Sequence, residues 1–272
     1  MRLVAGAAAA LLATSIGVLL AVGPAAGSGR TTVATTFPPL RWHHPVATLD
    51  PQHLVVLGDS VPAAAGCGCT GFAPMLARDA ALRSGRTSRL LNAATAGLTA
   101  SALADALAAP PTALRAALSD ATAVTVTIGA NDLDGSRAGT SCGGDRNLDC
   151  YAGDLASLRD SLRRVLTGVH ALAPRAQVLV TGYWNVFLDG SVGAQQGGTY
   201  VRTSDALTRQ VNTSLAAATQ SVGATYVDLY AAFKPDADPD DTALLAPDGD
   251  HPSDTGHRLI ATTIERAAGW RS

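Results

Sequence analysis

Five short, largely apolar runs predict the strands of this chain. They cover residues 53–58, 89–93, 123–128, 176–182 and 225–230. Runs of β-branched and aliphatic residues without polar alternation are typical of strands buried on both faces, as in a parallel sheet covered by helices. We therefore expect a sheet at the centre of the protein.

Apolar residues with helical spacing separate these runs. The clearest helix is predicted over 155–172, where leucine and valine recur every three or four residues. Further helices are predicted over 72–83, 101–109, 112–119 and 201–221, and a last one follows Ser253, a residue type that caps helices. Strand and helix alternate without an internal repeat. The pattern predicts an α/β fold: a single doubly wound domain with a five-stranded, mainly parallel sheet flanked by helices.

The amino-terminal segment has a different composition. Arg2 precedes an uncharged stretch rich in alanine, leucine and valine that ends in small residues. This predicts a secretory signal peptide over 1–27, with an uncleaved membrane anchor as the alternative. Residues 28–51, rich in threonine and proline, are predicted to be a linker or surface strap, which leaves 52–272 as the folded domain. The protein is expected to be secreted, or anchored outside the cell if the signal is not cleaved.

Charge and cysteine content narrow the classes of partner and compartment. The 20 basic and 22 acidic residues nearly balance, so nothing favours nucleic acid as a partner. The even number of cysteines fits two disulfides in an exported chain. Cys142 and Cys150 bracket a glycine-rich loop, and a bridge there would leave Cys67 to Cys69, but three pairings are possible. A four-cysteine zinc site is disfavoured because C-x-x-C knuckles are absent.

Three other sequence features are interpreted as structural and not as ligand-binding sites. Residues 66–71 match the letters G-x-G-x-x-G, but they start eight residues beyond Gly58 and lack the acidic residue that a dinucleotide site requires after the next strand. The acidic run 236–241 lacks the glycine and distal glutamate of an EF-hand and is interpreted as a solvated loop. His257, inside the predicted last helix, is interpreted as structural.

Chemistry-bearing residues follow the predicted strands. The first strand ends in Gly58-Asp59-Ser60, Gly97 follows the second, Asn131 follows the third, and Asp248 lies three residues before His251 ahead of the last helix. The carboxyl ends of parallel strands lie on one edge of a sheet, where α/β proteins bind ligands. We expect these segments to meet there.

This arrangement resembles the SGNH hydrolase superfamily, also called GDSL-type esterases and lipases, over roughly residues 53–268 and in its secreted bacterial form. Val61 stands where the family name implies leucine, at a variable position. The resemblance implies a flavodoxin-like fold and a serine esterase or lipase that hydrolyses carboxylic esters through an acyl-enzyme.

The resemblance also implies the roles of individual residues. Ser60 is the nucleophile, His251 is the base, and Asp248 orients the imidazole, with Asp250 as the rival for that role. The oxyanion hole consists of the N–H groups of Ser60 and Gly97 and the side-chain amide of Asn131. A serine hydroxyl needs such a base to become nucleophilic, and a neutral amide stabilises the oxyanion without an added charge.

The substrate and alternative functions depend on weaker signals. Trp184 and Phe187, in the loop after the fourth strand, are predicted to form an apolar wall for an acyl chain. The expected partner is a small-molecule or lipid ester, or an acylated polysaccharide, and we expect a monomer without metal or other cofactor. The alternatives are an acetyl esterase acting on polysaccharide and a non-catalytic carbohydrate- or envelope-binding protein on the same fold.

Overall fold

Five parallel strands form the central sheet of the computed structural model, which describes residues 50–138, 147–235 and 240–270. They are β1 (His53–Gly58), β2 (Arg89–Asn92), β3 (Ala123–Thr127), β4 (Gln177–Thr181) and β5 (Thr225–Val227). Their order is β2-β1-β3-β4-β5, and every neighbouring pair is parallel. The predicted five-stranded α/β sheet is confirmed, with all of its pairs parallel.

Eight α-helices connect and cover these strands within the described residues. They are α1 (Phe72–Ser84), α2 (Ala100–Ala108), α3 (Thr112–Asp120), α4 (Ala152–Leu172), α5 (Gly190–Gln195), α6 (Gly198–Val222), α7 (Leu229–Phe233) and α8 (Asp254–Ala268). Helix α4 packs between α2 and α6, and α8 packs against α1 and α7. The crossover from β1 to β2 runs in one direction along the sheet, and the crossovers from β2 to β3, β3 to β4 and β4 to β5 run in the other. Because right-handed crossovers in opposite directions place their helices on opposite faces, these two groups form the two helical layers.

The strand order places the switch point of the sheet between β1 and β3. The chain moves from β1 to β2 on one side and then crosses back to β3 on the other side. At such a point the connections diverge and leave a crevice at the carboxyl ends of the strands, where open α/β sheets bind ligands. Ser60 follows β1 and Asn131 follows β3, so both lie at this crevice.

The buried faces agree with the apolar pattern. All residues of β3 are buried, as are those of β1 after His53. Helix α4 buries all but the last residue of the predicted stripe: Leu155, Leu158, Leu162, Val165 and Val169 are buried, and Leu172 is partly buried. Burial of each such side chain contributes about 1.5–3 kcal/mol relative to exposure, so this stripe fixes α4 on the sheet.

Two local expectations differ from the structure. The fifth strand ends at Val227, because the Asp228 side chain accepts the N–H of Ala231 and thereby caps α7. The loop after β4 contains the short helix α5, capped by Asp189. Between β1 and α1, which begins at Phe72, the chain forms a series of turns that starts at Ser60.

The remaining predictions about the ends of the chain lie outside the described residues. The predicted signal peptide and nearly all of the predicted strap fall there. Asp50, near the end of that strap, forms an ion pair with Arg83 of α1 at 2.8 Å. In the ranges given above, no helix is long and apolar enough to cross a membrane.

Candidate active site

A glycine places Ser60 at the edge of the sheet. Gly58 has φ +144°, and an added Cβ there would lie 1.9 Å from the carbonyl oxygen of Thr127 on β3. The next N–H, that of Asp59, donates to the same carbonyl at 3.0 Å. Only glycine permits this approach between the ends of β1 and β3. Ser60 is therefore held directly above the switch point.

The turn after Ser60 leaves its reactive groups unpaired. The Ser60 carbonyl accepts the N–H of Ala65 at 3.0 Å, which closes a helical turn. Neither the N–H nor the hydroxyl of Ser60 forms a hydrogen bond with another described residue. Both groups are thus available to a ligand.

Asp59 is a fully buried carboxylate that braces this turn. Its Oδ1 accepts the N–H of Val61 at 3.1 Å, and its Oδ2 accepts the hydroxyl of Tyr183 at 2.5 Å. Burial raises the pKa of Asp59 to about 6, while the bonds from Tyr183 and Val61 act in the opposite direction. The Tyr183 hydroxyl also interacts with the N–H of Ala130, beside Asn131. Tyr183, which sequence reasoning missed, therefore links the ends of β1 and β3.

A tight loop before α8 presents His251. The N–H of Ala246 donates to the carbonyl of His251 at 2.7 Å, and residues Leu245 and Pro252 form an antiparallel bridge. Asp248 folds back across this loop: its Oδ1 accepts the N–H of His251 at 3.1 Å, and its Oδ2 lies 2.9 Å from the His251 Nδ1. The predicted contact between Asp248 and His251 is therefore present in the structure.

Asp250 is a second carboxylate on the same imidazole. Its Oδ1 lies 2.5 Å from Nδ1 of His251, nearer than that of Asp248. This oxygen is buried without a hydrogen-bond partner, so the aligned hydrogen bond is the one that Nδ1–H donates to Asp248. The Asp250 and Asp248 carboxylates raise the pKa of His251 to about 9, with Asp250 the larger cause and burial opposing it. Asp250, although adjacent to His251 in the sequence, therefore reaches the imidazole ring.

Gly66 packs directly behind this pair. It has φ +77°, and an added Cβ would lie 2.4 Å from Oδ2 of Asp248 and 2.9 Å from Nδ1 of His251. This glycine is the first of the three in the G-x-G-x-x-G match over residues 66–71. Its role is to admit the carboxylate and the imidazole, and only the three-dimensional structure reveals that approach.

A hydrogen bond links the turn of Asn131 to the turn that contains Gly97. Asn131 lies in the 3-10 turn Ala130–Asp132, and its Nδ2 donates to the carbonyl of Leu98 at 3.1 Å. The next residue, Asp132, accepts the N–H of Ala100 at 2.8 Å and so ties this turn to α2. The N–H of Gly97 has no partner among the described residues. Nothing lies within 4 Å of a Cβ added at Gly97, which has φ +78°.

A cleft of about 640 Å³ brings Ser60, Asn131 and His251 onto one surface. Its wall contains Phe187, whose ring packs against Gly135. The other apolar lining residues include Leu133, Val186 and Leu188. This volume is typical of a small-molecule pocket.

Trp184 does not line this cleft, which corrects the prediction that it contacts the substrate. Its side chain is fully buried and stacks on Phe233 of α7 at 4.4 Å between ring centroids. The loop after β4 turns inward at Trp184 and outward again at Phe187. Trp184 is therefore a core residue.

A buried charge cluster supports the loops around the cleft. Nζ of Lys234, the only lysine of the chain, lies 2.7 Å from Oδ2 of Asp189 and 3.4 Å from Oδ2 of Asp241. The N–H of Asp189 donates to the carbonyl of Gly249, between Asp248 and Asp250, at 2.7 Å. Asp241, predicted to lie in a solvated loop, is instead buried, and burial together with the charge of Asp189 raises its pKa.

The cysteines divide between described and undescribed parts of the chain. Cys67 and Cys69 are joined to each other in the structure. Cys142 lies outside the described residues, so the prediction of a second bridge to Cys150 stays a prediction.

A serine, a histidine hydrogen-bonded to a carboxylate, and an amide donor at the carboxyl edge of a doubly wound sheet are the groups that serine hydrolases use. The chain belongs to the GDSL-like lipase/acylhydrolase family, whose model matches residues 56–259. It is thus an ester hydrolase of the superfamily that the sequence motifs resemble.

Solved structures share the fold at low sequence identity. An acetylxylan esterase from Geobacillus stearothermophilus is 19% identical, with a TM-score of 0.58 over 80% of this chain and 94% of that one. Phospholipase A1 from Streptomyces albidoflavus is 23% identical, with a TM-score of 0.57 over 79% and 98%. A lipase from a goat rumen metagenome is 18% identical, with a TM-score of 0.56 over 80% and 98%. No curated protein sequence matches the chain significantly.

Proposed function

We propose that this protein is a secreted serine esterase. Its substrates are carboxylic esters whose acid part is an acyl chain, and the reaction passes through an acyl-enzyme. Ser60 is the nucleophile, His251 the general base, and Asp248 the residue that orients the base. The observation that carries this proposal is the shared surface of Ser60, Asn131 and His251 in one cleft, with the imidazole held from behind by Asp248.

The contact between Asp248 and His251 determines which ring nitrogen acts. A proton on Nδ1 is held by Oδ2 of Asp248 at 2.9 Å, which leaves the lone pair on Nε2. Nε2 accepts the Ser60 proton as Oγ attacks the ester carbonyl, and the imidazolium then returns that proton to the leaving alcohol. Nε2 then accepts a proton from water as the water oxygen attacks the acyl carbonyl, and it returns that proton to Oγ of Ser60 as the bond between Oγ and the acyl group breaks and the acid leaves. Asp248 stabilises the imidazolium during both steps.

The tetrahedral oxyanion requires donors that are not already engaged. The N–H groups of Ser60 and Gly97 have no partner among the described residues, and Asn131 Nδ2 has a second hydrogen beyond the one given to Leu98. Gly97 does not itself line the cleft, so the bond from Asn131 to Leu98 is what holds its turn near the site. Preorganised donors of this kind typically contribute about 2.7–4 kcal/mol each.

The cleft favours an acyl chain over acetate alone. Phe187 and its apolar neighbours form one wall, and a volume of about 640 Å³ exceeds what an acetyl group needs. The fold is shared with a phospholipase A1 and with an acetylxylan esterase. Acetyl groups on polysaccharide therefore form the alternative substrate class.

Hydrolysis of p-nitrophenyl acetate, butyrate and octanoate tests the activity and the substrate class together. We expect turnover by the wild type, loss of several orders of magnitude in Ser60→Ala, and a preference for butyrate or octanoate. Phe187→Ala should lower kcat/KM for octanoate more than for acetate, because it removes part of the apolar wall. Leu82→Ala is the matched control, since Leu82 is 74% exposed on α1.

Each outcome has a definite meaning. Equal losses on acetate and octanoate in Phe187→Ala would contradict the acyl-chain wall, and preference for acetate would favour the polysaccharide acetyl esterase. A folded protein without turnover and without labelling by a serine-directed phosphonate would instead be a binding protein. Export is tested separately, by expressing the full chain and sequencing the amino terminus of the protein found in the medium.

A further inference from the structure

His257 is a buried histidine without any hydrogen-bond partner. It lies in α8, its side chain is fully buried, and neither Nδ1 nor Nε2 bonds to another described residue. A buried polar group left unpaired loses its hydrogen bonds to water and gains none in return, so such groups are rare and call for an explanation. The serine hydrolase mechanism proposed above makes no use of this imidazole.

Two sulfur atoms lie beside this imidazole. Sγ of Cys67, Sγ of Cys69 and a ring nitrogen of His257 all lie within 4.8 Å of one another. Both cysteines are half-buried, so one side of the group is open to solvent. The N–H of Cys69 donates to Sγ of Cys67 at 3.1 Å, an arrangement that also stabilises a thiolate.

We propose that Cys67, Cys69 and His257 form a zinc site when the two cysteines are in the dithiol state. Each thiol loses its proton as its sulfur binds Zn²⁺, and a ring nitrogen of His257 donates its lone pair, so that one Zn²⁺ is exchanged for two protons. A water molecule on the open side completes the four-coordinate site. This inference does not depend on the proposed esterase function.

The dithiol and disulfide states exclude each other as ligand sets. When Cys67 and Cys69 are joined, as in the structure, neither sulfur is a thiolate that can bind the metal. Two molecules of a thiol reductant convert the pair to the dithiol and are themselves oxidised to a disulfide. The newly synthesised chain carries the dithiol without such a step. Zinc binding therefore competes with oxidation of this pair.

The ligand types determine the kind of metal. Two thiolates and an imidazole suit Zn²⁺ and other thiophilic ions, whereas Ca²⁺ and Mg²⁺ require oxygen ligands. The four-cysteine site rejected from the sequence is not needed, because the third protein ligand is a histidine nearly 190 residues further along the chain. Only the packing of α8 against the turn after Ser60 brings it near.

The site also adjoins the candidate catalytic pair. Gly66, directly before Cys67, packs against Asp248 and His251, such that even a methyl group there would clash with both. A metal that fixes Cys67 and Cys69 thus fixes the turn on which the position of Asp248 and His251 depends. We infer a positioning role for the ion and no role in the chemistry.

Metal titration of the reduced protein under anaerobic conditions tests the site. With Co²⁺ as the probe, we expect one equivalent to bind with the thiolate charge-transfer and visible bands of a tetrahedral site, and Zn²⁺ to displace it. Cys67→Ser/Cys69→Ser is the matched control, because it keeps Cys142 and Cys150 and should lose these bands. His257→Gln should weaken Zn²⁺ binding at least about tenfold, the loss that even an outer-shell partner can cause.

Two results would overturn the proposal. One is a reduced, folded protein that shows no cobalt–thiolate bands. The other is an affinity for Zn²⁺ that is unchanged in His257→Gln, which would mean that the thiols bind the metal without the histidine. If His257→Gln does not fold, X-ray absorption of the zinc-loaded wild type replaces it and should show two sulfur ligands together with imidazole scattering.

Discussion

Oδ1 of Asp250 lies 2.5 Å from Nδ1 of His251. Asp250 makes the largest contribution to the raised pKa of His251, about 9, and Asp248 adds to it. Only the neutral imidazole can accept the Ser60 proton. Activity should therefore increase with pH on an acid limb whose apparent pKa lies well above 6.5 and approaches 9. This is measured as kcat/KM against pH with a soluble ester.

Asp250→Asn tests which carboxylate sets this limb. Because Asp250 raises the pKa of His251, its replacement should move the acid limb to lower pH and increase kcat/KM near neutral pH. Asp248→Asn is the matched control: it disrupts the hydrogen bond that fixes the tautomer, and activity should fall at every pH. An unchanged limb in Asp250→Asn, or a loss of activity equal to that of Asp248→Asn, would contradict these assignments.

The sheet, and the edge of it that carries the candidate catalytic residues, could be predicted because they depend on local patterns of the sequence. Apolar runs buried on both faces produce parallel strands, and the stripe of α4 needs only its own periodicity. Ser60, Asn131 and His251 each follow or precede a regular element, so the topology brings them to one edge. The predicted fifth strand is too long because Asp228 is a single polar residue within an apolar run, and the pattern alone does not reveal that it caps a helix.

The environment of the site could not be predicted because it depends on distant residues. Trp184 and Phe187 are three residues apart, yet one stacks in the core and the other lines the cleft. Their difference is set by Phe233, which belongs to a helix that the sequence pattern did not reveal. The burial of Asp241 likewise depends on Lys234 and Asp189, and a cluster of acids alone indicates solvent exposure.

Asn131→Ala should lower kcat about 10²–10³-fold with a small change in KM, because an oxyanion donor acts mainly in the transition state. Asn131→Asp preserves the size of the side chain but replaces the donor with a negative charge, so its kcat should fall at least as far. Initial rates of p-nitrophenyl butyrate hydrolysis at a series of substrate concentrations give both kcat and KM. Near-normal kcat in either variant would remove Asn131 from the oxyanion hole.

Tyr183→Phe should destabilise the protein by about 1–3 kcal/mol, because Oδ2 of Asp59 then lies buried without a donor. The variant also raises the pKa of Asp59, which burial already raises to about 6. A raised carboxyl pKa in the folded state means that stability is highest at low pH and decreases as pH increases through that pKa. Tyr183→Phe should therefore lower the free energy of unfolding more at pH 8 than at pH 4.

Urea unfolding at the two pH values measures this effect, and Tyr226→Phe is the control. The hydroxyl of Tyr226 forms no hydrogen bond with a residue that the structure describes, so its removal should lower the free energy of unfolding less, and without this dependence on pH. Equal destabilisation by the two variants at both pH values would show that the bond to Asp59 does not hold the turn.

Trp184→Ala should destabilise the protein by about 3–5 kcal/mol and leave the order of preference among acetate, butyrate and octanoate unchanged. The reason is that Trp184 stacks on Phe233 and is fully buried away from the cleft. Trp184→Phe keeps an aromatic ring and removes the unpaired Nε1, so its cost should be smaller. A shift toward acetate in stable Trp184→Phe would place this side chain at the substrate after all.

Lys234→Met should destabilise the protein by about 3–5 kcal/mol, because it leaves Asp189 and Asp241 buried without their cation. Lys234 opposes the burial and the Asp189 charge that raise the pKa of Asp241, so the variant raises that pKa further. The folded variant then retains a proton that the unfolded chain releases near its ordinary carboxyl pKa. The difference in free energy of unfolding between wild type and this variant should therefore increase as pH rises from about 4 toward 8.

The double variant Lys234→Met/Asp241→Asn separates charge from packing. Without the carboxylate of Asp241, the pH-dependent part of the lost unfolding free energy should shrink. Any loss of stability that remains reflects packing and the unpaired Asp189. Because the N–H of Asp189 bonds to the carbonyl of Gly249, Lys234→Met should also reduce kcat/KM at temperatures where it is folded. A destabilisation that is the same at pH 4 and pH 8, with full activity, would mean that the charge of Lys234 does not support the loop that carries Asp248 and His251.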